Sequence, residues 1–401
     1  MKHALPHQMG RIFPEEIGER AAERPVNIFS ARSPVNGQAE IRECEPDDLP
    51  LVAGLFQRIL RHGEKCNVPR LASYLKELFF EHPWRDPDLA SLVSTSPDGA
   101  VNGFIGVLPV RMVYRNAPVR AALASSLMVD KSGNDSLIGV RLLRRFLEGP
   151  QDLSVTDTAN QLSRRLWECL GGSLSAQYSM EWFRILRPAE GALALALEHW
   201  PMAAPLRVIT RLIDSLWVTA KRRPFSIEAN DPSIRHVRFD TDEAIEFIPS
   251  LAADYELRPS WRREELPWFL RHAQCKERHG PLIARRVVAR NGTTVGCYLY
   301  YGRPGDVAFV LQILCKRQYA DVVIKALLAD AYGLGCTVVR GQSQPEMLAA
   351  LLQNRCIYRR GPAVMAQARN AELSTSIQTG SAWITGLAGE SWSRLIGGQF
   401  A

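Results

Sequence analysis

The stretch from Val119 to Ser173 constrains this chain more than any other. An apolar strand ending at Ser126 to Val129 runs into a polar turn, Asp130 to Asp135. A helix is predicted from about Ser136 to Leu147, because Leu137, Ile138, Val140, Leu142, Leu143, Phe146 and Leu147 share a wide apolar face. A short strand at Leu153 to Thr156 and a second helix from Gln161 to Cys169, closed by Gly171, complete the unit. Strand, polar loop and helix in that order place a helix N-terminus beside a strand end, where successive backbone N–H groups can receive an anion.

The flanks extend the pattern. Glu40 to Cys44 predicts a strand that passes through Glu45 and Pro46 into a helix capped at Asp47 or Asp48. A second helix is expected at about Val68 to Phe80, and a three-stranded meander at Leu89 to Ser94, Val101 to Tyr114 and Val119 to Val129. The stretch after Gly172 adds a last strand or two before Pro188. A diverged copy follows: Ile234 to Phe239 with Asp240, Asp242 and Glu243 repeats the opening, and the strands around Asn291-Gly292 and Pro304-Gly305 repeat the meander. The strand at Val310 to Ile313, a turn at Lys316 to Ala320 and a helix after it repeat the central unit, with no glycine in the turn. The chain thus divides into an N-terminal tail (1–38), a first domain (39–188), a helical connector (189–225), a second domain (226–370) and a C-terminal tail (371–401).

Composition narrows the class. With 401 residues, 46% of them hydrophobic, the chain is long enough for two globular cores. It has no apolar run of spanning length and no apolar signal core at its start, so the expected location is the cytoplasm. Eight cysteines are scattered without a Cys-x-x-Cys pair or a Cys/His cluster, which predicts buried thiols and no metal site. A net charge of +7 implies an anionic partner. Its basic residues form small groups rather than a recognition helix, which disfavours nucleic acid. Leu206, Ile209, Leu212, Ile213, Leu216 and Trp217 make a basic amphipathic helix; peripheral membrane contact through 206–223 is one use of it, and packing between domains is preferred.

In order and spacing, 119–173 resembles the cofactor half of the GCN5-related N-acetyltransferase (GNAT) superfamily, whose loop reads roughly Val-x-Pro-x-x-Arg/Gln-Gly-x-Gly-Ile-Gly-x-x-Leu-Leu. Here Val129, Ile138, Gly139, Leu142 and Leu143 match, whereas Asn134, Asp135 and Leu137 replace the Arg/Gln and two glycines. The resemblance implies an α+β, layered fold of two acyl-CoA N-acyltransferase-like domains, each a mixed, mostly antiparallel sheet flanked by helices. It also implies acetyl-CoA or another acyl-CoA as co-substrate, held in the first domain by Val129, Ser132, Gly133, Asn134, Ser136, Ile138, Gly139 and Asn160. Asp135 opposes an anion but suits a plain N-cap, so a capped helix without phosphate stays open beside the phosphate loop.

For chemistry, the resemblance implies a backbone N–H at Leu127, Met128 or Val129 as donor to the thioester oxygen. Trp167 stands where relatives carry a phenolic acid, and Ser163, one turn earlier, is the candidate proton relay. Candidate bases are Glu81, His82, Asp157, Tyr178 and Glu181. The function expected is transfer of an acetyl or acyl group from acyl-CoA to an unidentified acceptor, with an amine as the expected class. The alternatives are a tandem scaffold that has lost its cofactor and a protein resembling the peptidoglycan aminoacyl transferases.

Overall fold

A computed structural model describes residues 39–61, 66–130, 137–191, 234–276 and 279–400. The connector at 192–233, including the amphipathic helix, lies outside the described residues, as do the N-terminal tail and loop residues 131–136. Strands β1 (Glu40–Glu43), β2 (Leu92–Thr95), β3 (Val101–Tyr114), β4 (Ala117–Val129), β5 (Leu153–Ala159) and β6 (Ser173–Leu174) belong to a first sheet. Strands β7 (Met180–Ile185), β8 (Ile234–Arg238), β10 (Leu282–Ala289), β11 (Thr294–Tyr301), β12 (Val307–Cys315), β13 (Val338–Gln342) and β14 (Ile357–Arg360) form a second. The remaining two, β9 (Leu257–Pro259) and β15 (Ala363–Ala368), pair with β3 and with β5 and β6.

The first sheet runs β1-β2-β3-β4-β5-β15-β6 and the second β8-β10-β11-β12-β13-β7-β14. Each is antiparallel except for one parallel pair, β4 with β5 and β12 with β13. Both are therefore mixed and mostly antiparallel, as expected, and they follow the same order with one exchange. Strand β7, from the first half of the sequence, pairs with β13, while β15, from the second half, pairs with β5. The division expected at 188 and 226 thus does not separate the two sheets, because each takes its sixth strand from the other half of the chain. The described residues accordingly form one compact unit.

Local chemistry sets the elements. The β3–β4 hairpin turns through Arg115 and Asn116, both at positive φ (47° and 72°), the conformation whose twist matches two-residue hairpins. Helices α1 (Leu49–Leu60) and α2 (Val68–Phe79) bury Phe56, Leu75 and Leu78 on one face of the first sheet. Helices α3 (Ile138–Leu147) and α4 (Gln161–Cys169) cover the other face with Leu142, Phe146 and Trp167. Helices α5 (Thr241–Leu251) and α6 (Glu265–Gln274) join the core under α1 and α2, and α7 (Ala320–Leu334) and α8 (Leu348–Gln353) cover the second sheet.

The repeat shows in matched glycines. A Cβ on Gly103 of β3 would sit 2.6 Å from Ile138, and one on Gly296 of β11 would sit 2.6 Å from Val323 of α7. In each copy a glycine lets the helix after the central strand close onto the sheet. The register sets Gly103 opposite Val129 and Gly296 opposite Cys315.

After α9 (Ala371–Gln378) the described residues hold no further helix or strand, yet Trp383, Ile384, Leu387, Trp392, Leu395 and Phe400 are all buried in the central core. Residues 371–400 are read from sequence as a tail. They form instead a strap whose aromatic side chains pack edge-to-face on Trp261, Trp268 and Phe269.

Candidate active site

Strand β4 carries a bulge. Ser125 pairs with Gly106 and Met128 with Phe104, so two residues, Ser126 and Leu127, oppose Ile105 alone. Ser126 has φ +52°, which breaks the pleat. Facing inverts as a result: Leu127 and Val129 join Ala122 and Ala124 under α3, whereas Met128 joins Ala121 and Leu123 on the opposite face. A bulge of this kind aims backbone N–H groups away from the ladder, where a substrate oxygen can use them.

Beside the bulge, β4 and β5 part company. Their parallel pairing covers Ala121–Leu123 and Leu153–Val155 and stops, although β4 continues to Val129 and β5 to Ala159. The strap crosses the core side of this gap. The Glu390 backbone N–H donates to Asp157 Oδ1 at 3.0 Å, and Ser391 Oγ donates to Asp157 Oδ2 at 3.4 Å. The Thr158 hydroxyl donates to Glu390 Oε1, and Ser125 of β4 stands beside the same carboxylate. Glu390 therefore spans the gap from β5 to β4. Its other oxygen, Oε2, is buried with no hydrogen-bond donor among the described residues. Lys276, just past α6, donates to the Ser391 carbonyl and lies near both carboxylates.

Electrostatics follow from burial. Loss of water raises the Asp157 carboxyl to about 7, with the Glu390 charge adding to the effect. Glu390 is raised as well, by burial first. Burial lowers Lys276 to about 7 against the pull of the two carboxylates. Two acids and one ammonium out of water carry least net charge when one carboxyl keeps its proton, so the cluster holds both a proton acceptor and a proton donor near neutral pH.

The residues singled out in the sequence distribute unevenly around this cluster. Leu127, Met128 and Val129 lie at or just beyond the bulge. Ile138 and Gly139 open α3, whose N-cap Leu137 makes no side-chain cap; a Cβ on Gly139 would lie 3.4 Å from Val129 and 3.5 Å from Leu166. Ser132, Gly133, Asn134, Asp135 and Ser136 lie outside the described residues. Asn160 caps α4 by accepting from Ser163 N at 2.9 Å, which fixes both as helix-start residues. Trp167 is 1% exposed and packs on Phe146, a core position away from the carboxylates. Of the five candidate bases only Asp157 falls in the cluster. Glu81 pairs with Lys76, His82 packs at a tilt against Trp84, the Tyr178 hydroxyl donates to the Ala382 carbonyl, and Glu181 pairs with Arg359. Glu390 and Lys276 were missed; the clue was the density of apolar residues in 382–400, too high for a tail.

The second sheet has the same gap, closed differently. Strands β12 and β13 pair only at Val307–Val310 and Val338–Gly341, and the β11 register shifts beside Leu311. Here the Gln344 amide clamps the β12 backbone, accepting from Ile313 N at 3.0 Å and donating to Ile313 O at 2.7 Å. Gln312 Oε1 also accepts from Trp383 Nε1 and Leu387 N of the strap. Among the described residues, no group of three or more His, Cys, Asp or Glu could hold a metal ion, and no helix is long and apolar enough to cross a membrane.

No protein-family model and no curated protein sequence matches the chain. Solved structures do. A GCN5-related N-acetyltransferase from Anabaena variabilis ATCC 29413 superposes with a TM-score of 0.55 at 11% identity, over 83% of this chain and 73% of that one. A conserved protein of unknown function from Enterococcus faecalis V583, described as a probable N-acyltransferase, gives 0.51 at 10% identity, over 82% and 72%. At such identities the likeness concerns architecture. Two mixed sheets, each with a central strand that carries a bulge and then diverges from its parallel neighbour, give this chain the fold of the GCN5-related N-acetyltransferases in tandem.

Proposed function

We propose that the chain is an N-acyltransferase that moves an acetyl or longer acyl group from acyl-CoA to an amine, at the gap between β4 and β5. One observation carries this reading: the β4 bulge, the divergence of β4 from β5 and a buried carboxylate pair coincide at one place. The backbone N–H groups from Ser126 to Val129 stabilise the thioester oxygen as it gains charge. The ionised member of the Asp157–Glu390 pair takes the proton of the attacking amine; the C–N bond forms, the C–S bond breaks and CoA leaves as a thiolate that the protonated member or water can neutralise.

The residues present fit the co-substrate. The N-cap residue Leu137 makes no side-chain cap, and Gly139 keeps the first turn of α3 close to Val129, which suits the approach of a diphosphate to backbone N–H groups there. In the second gap the Gln344 clamp takes the place such a ligand needs. The reading is tested by titrating acetyl-CoA, longer acyl-CoAs and free CoA calorimetrically into the full chain, followed by an assay of amine-dependent thiol release. One binding site per chain and release that rises with amine supports it. Absence of binding by every CoA species points to the scaffold alternative.

A further inference from the structure

A cavity of about 290 Å³ opens at the far end of the first sheet, between β3, α5, the residues after β9 and the start of the strap. Its walls include the indoles of Trp261 and Trp383, the rings of Pro249 and Pro259, and the polar groups of Arg258 and Asn116. The volume equals that of about ten waters, near the lower end of small-ligand sites, and planar apolar walls with a few polar groups are typical of them. Val113, on its wall, lies seven residues along β3 from Gly106 at the bulge, roughly 23 Å at strand rise. The cavity is thus separate from the carboxylate cluster and independent of the acyl-transfer reading.

Two polar features select the ligand. The Trp261 indole N–H is buried and has no acceptor among the described residues, an omission that ordinarily costs about 1–3 kcal/mol. The Arg258 guanidinium donates to the Tyr255 carbonyl at 2.9 Å and to Asn116 Oδ1 at 3.5 Å, both uncharged oxygens. A cation with no carboxylate and an N–H with no acceptor among the described residues, beside two indole faces, call for one molecule. We propose that this cavity binds a small planar organic carboxylate, its apolar ring against Trp261 and Trp383 and its carboxylate toward Arg258 and the Trp261 N–H.

Calorimetric titration of indole-3-acetate into the full chain tests this, with tryptamine as the cation of matching shape. Saturable binding of the carboxylate and none of the amine is expected. Trp261→Phe, which keeps the ring and removes the donor, should weaken binding about 5- to 10-fold, and Arg258→Gln should weaken it more than ~10-fold. The indole N–H resonance of Trp261 should move downfield on saturation, a readout that does not depend on how either variant folds. No saturable binding, equal binding of tryptamine, or a Trp261 resonance that does not move overturns the assignment.

Discussion

The backbone N–H of Glu390 donates to Asp157 Oδ1 at 3.0 Å, fastening the strap to a strand 233 residues earlier in sequence. That one bond brings a second acid to a place where β5 alone would supply one. On the acyl-transfer reading, Glu390→Gln and Asp157→Asn should each lower the rate of amine-dependent thiol release by ~10²- to 10⁴-fold, the usual worth of a positioned base. Binding of free CoA should change by less than about threefold. Steady-state kinetics with calorimetry on the same preparations separate the two; a variant pair that retains wild-type turnover would remove the carboxylates from the mechanism.

The same cluster makes stability depend on pH with a definite sign. Asp157 and Glu390 are raised in the folded protein, so their contribution is fully present below the ordinary carboxylate range and is lost as pH rises above it, for Asp157 through about 7. Lys276 is lowered to about 7, so its contribution is present above the ordinary lysine range and is lost as pH falls toward 7. Stability should pass through a shallow minimum near neutral pH. Glu390→Gln should flatten the limb above the ordinary carboxylate range, and urea melts from acid to neutral pH measure it.

Trp167 belongs to the packing under α3 and α4. Trp167→Ala should cost about 3–5 kcal/mol, as for other large buried aromatics. Trp167→Tyr should bring no gain in turnover and a lower melting temperature, because it places a hydroxyl in an apolar cluster beside Phe146. A faster Tyr variant would contradict this placement.

Gln344→Ala should open the second gap. It removes the acceptor of the buried Ile313 N–H, whereas the Ile313 carbonyl keeps the Gln312 Nε2 donor at 3.2 Å; the loss is about 1–3 kcal/mol, measurable by denaturant titration. An unchanged midpoint would mean that other groups already satisfy Ile313.

Elements with a strong period were legible in the sequence: the apolar face of α3, helix α4 and the β3–β4 hairpin all lie close to where spacing and turn residues put them. Three features were not. The Ser126 bulge arises from one residue at positive φ in an otherwise regular apolar strand, and serine gives no local signal of it. The exchange of β7 and β15 is a choice between two sheets that offer equivalent edges, which strand patterning cannot express. The strap has no period at all, so Glu390 had no element to be placed on, and only its aromatic neighbours marked it as core. Asp157 was visible as a candidate, but what raises it comes from residues far away in sequence.

On the acyl-transfer reading, acyl-CoA uses the first gap and not the second. Amide hydrogen exchange with and without acetyl-CoA tests it most directly, because the two gaps report on separate peptides. Slowed exchange is expected in β4 from Ser125 to Val129 and in the first turn of α3, with β12 from Leu311 to Cys315 unchanged. Protection confined to β12, or none in either strand at saturating acetyl-CoA, would contradict it.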